Sequence, residues 1–374
     1  MEQSKMDKRG KQMNTRERFN AIMDYKPFDR QPLWYFGQWQ ETAQRWRKEG
    51  VPETTPFWDF LGMDHEWEQY MWGGLGINYN INPFEHKILE ENDDYRIARC
   101  GDGVTRKSNK KGECISQDIE VFLKDRASWK EFKKRHEDKM KGVDPYPADW
   151  EDRKAKFHKN RDFVLSFMGG SLFGWPRSWM TVEGISMMQY DDPILLEEIV
   201  EYLANHFMKS YERALNELDI DFVYFFEDCC FNNGPLMAPN KLKEIWLPHY
   251  KRLISFYKKH GVKHILLDSD GKVDDLVPLW LEAGVDILFP IEVGTWKGDV
   301  NKYRGQYGKD LRMLGGVDKL VINKGEKAIT EELKRVEKLA KSGGYIPIPD
   351  HRIPPDVSLA EIQKYCTIYK EIFF

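Results

Sequence analysis

The sequence predicts an α/β protein built as a TIM (β/α)8 barrel, and three observations support that prediction. Apolar runs of strand length alternate with segments of helical spacing from Asp162 onward. The stretch 261–292 contains a whole repeat, in which a strand, an acidic turn, a helix and a second strand follow one another. The composition does not change along the chain, so we expect a single domain at 14–374 behind a flexible tail at 1–13.

The N-terminal part departs from this rhythm. We expect helices at about 14–25 and 38–48 with a first strand at 30–36 between them, the first helix being capped by Asn14 or Thr15. Alternating residues and glycine turns then predict a hairpin insertion at 87–116, placed over the barrel mouth. The tail and the insertion are therefore additions to the barrel.

The later strands are predicted where short apolar runs precede polar turns. They are expected at 163–167, 222–226, 262–267, 285–290, 311–314 and 345–348, with helices between them. Chemistry in such barrels lies where the strands end, at the C-terminal rim. These ends supply Glu227, Asp228, Asp268, Asp270, Glu292, Asp318 and His351.

Composition and charge exclude several classes of protein. A net charge of −4 without a basic stripe argues against a nucleic-acid partner. No apolar run approaches about 18 residues, so no membrane span is expected. The charged N-terminus lacks the apolar core of a signal peptide, and the five cysteines form no disulfide framework, which favours a cytoplasmic location.

The acidic turn Asp268-Ser269-Asp270-Gly271 has two interpretations. Aspartate and glycine are good turn residues by themselves. A turn needs only one such acid, however, and clustered carboxylates repel one another unless a cation or a proton is shared. The cluster therefore predicts a metal or catalytic site. The 13 Trp and 17 Tyr residues also indicate that some rings line a pocket for a flat or apolar ligand.

Four motifs occur in order along most of 14–374. They are Phe167-Met168-Gly169-Gly170-Ser171, the stretch from Pro239 to Tyr250, Gly315-Gly316-Val317-Asp318, and Gly343-Gly344-Tyr345-Ile346 followed by Pro349-Asp350-His351. With these motifs the chain resembles the uroporphyrinogen decarboxylase superfamily. That superfamily contains porphyrinogen decarboxylases and zinc-dependent methyltransferases that work with corrinoid proteins or coenzyme M, all on TIM barrels.

The resemblance to the decarboxylases is incomplete. Their Arg-Gln-Ala-Gly-Arg-Tyr stretch is matched by 30–35, which keeps Arg30 but has Trp34 in place of the second arginine. Loss of that cation removes a contact to a substrate carboxylate worth about 1.5–3 kcal/mol. Asp59 is the counterpart of their catalytic aspartate and is expected to contact substrate. The sequence therefore predicts no porphyrinogen decarboxylation.

The resemblance to the methyltransferases predicts a different site. Their zinc-binding His-x-Cys-Gly turn falls on Asp268-Ser269-Asp270-Gly271, and their later zinc-binding cysteine falls on the turn containing His351. The resemblance thus implies Asp268, Asp270 and His351 as ligands, with Glu227 or Glu292 as a fourth. Oxygen and nitrogen ligands suit Zn²⁺ or another divalent ion and give a harder Lewis acid than thiolates. Glu227 or Asp228 would donate the proton. The aromatic residues expected to hold the substrate are Trp34, Trp175 and Trp179.

The leading hypothesis is a metal-dependent methyltransferase that acts on a small methylated compound, such as a methoxylated aromatic. A corrinoid carried by a partner protein would accept the methyl group. The alternatives are a decarboxylase-like lyase, in which Asp59 or the acidic cluster handles a proton, and a metal-free barrel that binds a small molecule. The sequence predicts no oligomeric state.

Overall fold

The computed structural model describes residues 12–64, 74–111, 115–157 and 160–374. Most of the predicted tail, residues 1–11, lies outside these ranges. Within the described part, no helix is long and apolar enough to cross a membrane.

The N-terminal part contains helices and an antiparallel sheet. The helices are α1 (Thr15–Met23), α2 (Gln40–Lys48), α3 (Phe57–Phe60), α4 (Arg126–Met140) and α5 (Trp150–Lys156). The sheet joins β1 (Lys87–Glu91), β2 (Tyr95–Arg99), β3 (Thr105–Asn109) and β4 (Gln117–Glu120) in chain order. This sheet corresponds to the hairpin insertion predicted at 87–116, and its last strand extends four residues beyond that range.

Helix α1 begins as the sequence predicts. The Asn14 side chain accepts a hydrogen bond from the Glu17 N–H, and the Glu17 carboxylate accepts one from the Asn14 N–H, which forms a capping box. The strand predicted at 30–36 is not observed, and the neighbouring Gln38 makes only an isolated parallel bridge with Ile353. Pro32 contributes to this difference because it has no N–H to donate.

In the described part of the chain, six parallel strands form the central sheet. They are β5 (Ser166–Gly170), β6 (Phe222–Phe226), β9 (His264–Asp268), β10 (Ile287–Ile291), β11 (Arg312–Val317) and β12 (Tyr345–Pro349), and they are neighbours in chain order. A short hairpin of β7 (Cys230–Phe231) and β8 (Gly234–Pro235) follows β6. Parallel strands joined in sequence through helices are the arrangement of a (β/α) barrel.

Helices cover the outer face of these strands. They are α6 (Gly174–Asp191), α7 (Pro193–Glu217), α8 (Pro239–Lys241), α9 (Leu247–Lys259), α10 (Val277–Ala283), α11 (Val300–Tyr307), α12 (Glu326–Lys341) and α13 (Leu359–Phe373). A π-helical turn at Leu242–Trp246 joins α8 to α9, and a 3₁₀ turn at Lys319–Lys324 precedes α12. One large apolar core fills the space between sheet and helices.

A second core lies inside the barrel. Alternate strand residues such as Phe222, Tyr224 and Leu266 face it, together with Phe19 and Trp34 from the N-terminal segment. The rings of Phe19 and Phe222 lie 5.5 Å apart, and Phe222 is the first residue of β6. Helix α1 therefore closes the barrel where the strands begin, and the opposite, C-terminal end is left for a binding site.

Candidate active site

A buried carboxylate lies at the C-terminal end of the central strands. Asp268 is the last residue of β9 and is 7% exposed. It is the register partner of Phe226 on one neighbouring strand and of Phe289 on the other. Because Leu266, two residues earlier, belongs to the interior core, Asp268 faces the inside of the barrel at its open end.

The surroundings of Asp268 oppose its ionisation. Burial raises the pKa of its carboxyl well above the ordinary value, and the charges of Asp228 and Asp270 raise it further. In the described ranges, no hydrogen-bond donor approaches the Asp268 carboxylate. The side chain is thus a buried acid that holds its proton or needs a cation.

The two neighbouring aspartates have different partners. The Asp228 backbone has a φ of 44°, and Arg177 donates to the Asp228 carbonyl at 3.0 Å and to its Oδ2 at 3.3 Å. Burial and the charge of Asp270 raise the Asp228 pKa, while Arg177 lowers it. Asp270 is more exposed, and its Oδ2 lies 3.4 Å from His351 Nε2. The three carboxylates therefore lie close enough for their charges to interact, and Arg177 contacts one of them, Asp228.

Glu292 supports the turn after β9. Its Oε2 accepts from the Gly271 N–H at 2.7 Å and its Oε1 from the Thr295 hydroxyl at 3.1 Å. Gly271 has a φ of +86°, and a Cβ there would lie 2.6 Å from the Cys230 carbonyl oxygen, so the turn requires glycine. Burial raises the pKa of Glu292 although the Gly271 hydrogen bond opposes this.

Aromatic rings surround His351 at the same end of the barrel. The His351 ring stacks on Trp39 with 6.0 Å between centroids and meets the Phe36 edge at 5.3 Å. Phe36 in turn contacts Phe289 at 4.8 Å. The segment 36–39 thus lines the barrel mouth, and the sequence did not single out Phe36 or Trp39.

Glu227 points to a different environment. It is fully buried, and its oxygens accept from the N–H groups of Leu172, Phe173 and Gly174 at 2.9, 2.8 and 2.9 Å. These groups lie at the start of α6, where unpaired N–H donors favour a carboxylate. Burial raises the Glu227 pKa, and the three hydrogen bonds oppose that shift. Glu227 therefore anchors α6 to β6, and Asp228 is the member of this pair that meets the other aspartates.

Asp350 is a buried acid of this rim that the sequence did not single out. Asp350 is fully buried, and its oxygens accept from the N–H groups of Val293, Gly294 and Lys319 at 2.7, 2.9 and 3.1 Å. It therefore fixes the loops after β10 and β11 relative to β12. An aspartate after a strand is also good turn chemistry, so the sequence gives no signal that separates the two roles.

Comparison with known proteins identifies the family. The family model for uroporphyrinogen decarboxylase (URO-D) matches residues 164–372, more than half of the chain. The chain belongs to the URO-D family. This confirms the family resemblance and, with the observed sheet, the predicted TIM-barrel fold.

A solved methyltransferase structure shares the fold of this URO-D family chain. A methyltransferase from Methanosarcina mazei aligns over 96% of this chain and 99% of its own, with a TM-score of 0.57 and 13% sequence identity. A B12-independent methionine synthase from Shewanella sp. W3-18-1 aligns over 76% of this chain and 72% of its own, with a TM-score of 0.37 and 11% identity. Comparison with curated protein sequences gives no significant match.

The arginine retained from the URO-D decarboxylase motif is engaged elsewhere. Arg30 donates to both oxygens of Asp64 at 2.8 and 2.7 Å, and its guanidinium lies over the Phe374 ring. Trp34 is buried in the interior core beside Phe19, with 6.3 Å between ring centroids. The segment 30–35 thus packs the structure near α1 and α13.

The remaining predicted substrate contacts have other neighbours in the described part of the structure. The Trp175 ring packs on Phe207 at 5.0 Å, and the Trp179 ring packs on Phe132 at 4.9 Å, so both rings fill the layer between α4, α6 and α7. Asp59 is exposed on α3. The structure does not bring these three side chains to the carboxylates, and their contact with substrate stays a prediction.

The predicted metal ligands are close together but do not form a coordination group. Among the described residues, no three His, Cys, Asp or Glu side chains are arranged to hold an ion. Glu292 uses both oxygens for protein donors, and the pair of Asp270 and His351 is the one contact within the predicted set. A divalent ion would therefore require these side chains to move.

Proposed function

We propose that this URO-D family chain is an enzyme that transfers a methyl group from a small methylated compound bound at the open end of the barrel. We further propose a corrinoid carried by a partner protein as the acceptor. The family match and a fold shared with a methyltransferase support the proposal. The charge of the site is the observation that favours methyl transfer over porphyrinogen decarboxylation.

The rim of the barrel is acidic. Asp228, Asp268 and Asp270 influence one another, and the cation in contact with them in the described structure is Arg177. A porphyrinogen with many carboxylates would add negative charge to this cluster, and like charges close together in a poorly hydrated site repel strongly. Because Arg30 is already paired with Asp64, it does not offset this repulsion. A neutral or cationic methylated compound meets no such barrier.

The site also contains groups able to hold a proton. When a methyl group leaves oxygen or nitrogen, the bonding electron pair stays on that atom, and a neutral ether or amine needs a proton to leave readily. Asp268 and Asp228 both have raised pKa values because they are buried near other acids. They are therefore suited to give a proton to the leaving atom.

Because the predicted ligands Asp268, Asp270, His351 and Glu292 form no coordination group here, we derive no step from a metal ion. Zn²⁺ or a similar ion at this rim stays a proposal. Its test is metal analysis of the purified protein.

Methyl transfer is tested with the purified chain, a reduced corrinoid acceptor and a panel of methylated donors, with the demethylated product measured. We expect Asp268→Asn to lower kcat roughly 100-fold or more, the range for loss of a positioned acid. Asp310→Asn is the matched control, because Asp310 is exposed at the other end of β11. Unchanged turnover in Asp268→Asn, or no methyl transfer from any donor, would contradict the proposal.

A further inference from the structure

We infer that the methylated substrate is itself a cation, an onium compound such as a quaternary ammonium or a sulfonium, held between the carboxylates and the aromatic rings of the barrel mouth. This inference rests on the proposed methyl transfer and adds the chemical class of the donor. Its support comes from charge, from the accessible aromatic surface and from the spacing of the acidic groups.

The charges at the mouth leave an anionic side chain without a protein partner. Asp268 is 7% exposed and has no hydrogen-bond donor among the described residues. Arg177 contacts Asp228 and His351 contacts Asp270, and neither residue donates a hydrogen bond to the Asp268 carboxylate. A buried carboxylate without a partner is unfavourable, and a cation from outside removes the penalty together with the repulsion inside the cluster.

Aromatic surface lies directly beside this acid. Phe226 is the register partner of Asp268 on the adjacent strand, so both side chains project to the same side, and Phe226 is 38% exposed. Phe36, Trp39 and His351 form a ring cluster at the same end, in which the Phe36 edge meets His351. Because the Arg352 guanidinium already lies over the Trp39 ring, Phe226 supplies the accessible ring surface. Exposure of a large ring at the open end of a barrel is typical of a surface that a ligand covers.

An onium head fits this combination better than an inorganic ion does. A calcium or magnesium ion needs several oxygen ligands at about 2.0–2.6 Å around one point. No such group of His, Cys, Asp or Glu occurs in the described part of the chain. A methylated cation is large and weakly hydrated, and it binds through its charge to carboxylates and through its methyl groups to the faces of aromatic rings.

With an onium donor the reaction needs no proton, so Asp268 acts as the anionic partner of the bound cation, and its role as a proton donor applies to neutral donors. The electron pair of the acceptor nucleophile forms a bond to the methyl carbon while the carbon–nitrogen or carbon–sulfur bond breaks. Its electron pair stays on nitrogen or sulfur, and the product leaves as a neutral amine or sulfide. The positive charge that the carboxylates bind is therefore lost from the product, which favours its release.

The test compares choline with 3,3-dimethyl-1-butanol, which has the same shape with carbon in place of the charged nitrogen. Binding of each probe is measured by titration calorimetry at pH 7.5. We expect choline to bind the unaltered protein at least ten times more tightly than the neutral analogue. Asp268→Asn and Asp270→Asn should each reduce that ratio several-fold, whereas Asp310→Asn should not change it. The Asp270 side chain is 42% exposed, so Asp270→Asn leaves the core intact. This variant therefore tests the inference even if Asp268→Asn fails to fold.

A second variant tests the aromatic contribution. We expect Phe226→Ala to weaken binding of both probes, since it removes ring surface and leaves the charge. Equal binding of choline and its neutral analogue, or a preference that survives both Asp→Asn changes, would overturn the inference. If the protein transfers a methyl group from a neutral methoxylated aromatic and does not prefer choline to its neutral analogue, the substrate is not an onium compound. The proposed methyl transfer would still hold. A preference for choline in a protein that transfers no methyl group would support binding of an onium compound and contradict the proposed function.

Discussion

Replacement of Glu227 by alanine tests whether this buried acid is structural. Its carboxylate accepts three N–H hydrogen bonds at 2.8 to 2.9 Å from the start of α6. Each such bond contributes about 1 kcal/mol when the acceptor is neutral and 1.5–3 kcal/mol when it is charged. We use the lower value, so that the expected loss is a lower bound. Loss of three acceptor contacts should therefore lower the free energy of unfolding by about 3 kcal/mol.

The measurement is urea denaturation followed by circular dichroism, with Glu227→Ala compared with Glu227→Gln. Glutamine keeps one acceptor oxygen but turns an NH₂ group toward the N–H donors. Glu227→Gln should therefore lower the free energy of unfolding by less than Glu227→Ala does. A change below about 1 kcal/mol for Glu227→Ala would refute the structural role, since one unsatisfied buried donor alone costs that much. Full stability together with lost turnover would instead support the predicted catalytic role.

The remaining predictions concern charge, metal and substrate. The folded-state pKa of Asp268 is raised, so stability from this group is complete below its unfolded pKa of about 3.9 and is lost as pH rises through the folded value. Asp268→Asn should flatten that pH dependence in thermal denaturation, and an unchanged slope would contradict the assignment. Metal analysis after incubation with zinc, cobalt or manganese should find about one ion per chain if the predicted site exists. Asp270→Ala and His351→Ala should then lose the ion while Cys229→Ala keeps it. Uroporphyrinogen should not be turned over, and decarboxylation at a few per second or more would reverse the ranking of functions.

The β/α rhythm was readable from the sequence because it depends on local patterns. Predicted strands at 222–226 and 345–348 match β6 and β12 closely, since both are short apolar runs that end in polar turns. The strand expected at 163–167 lies three residues later, at Ser166–Gly170, because glycines inside the barrel wall belong to the strand. The strand predicted at 30–36 is not formed, because strand pairing depends on partners far away in the chain.

For the candidate site, the sequence determined which residue types stand at the strand ends. Period-two alternation and turn chemistry place Asp268, Asp270 and His351 there, because each follows an apolar run. Their association at one rim follows from the parallel sheet.

Only the tertiary structure decided what each acid contacts. Glu227 and Asp228 are adjacent in sequence, yet one binds three N–H groups of α6 and the other meets Arg177 and the aspartates. Trp175 and Trp179 pack between helices, while Phe36 and Trp39 reach the barrel mouth. The physical reason is that packing between elements distant in the chain fixes the partner of each side chain. Local sequence patterns contain no information about which distant elements meet.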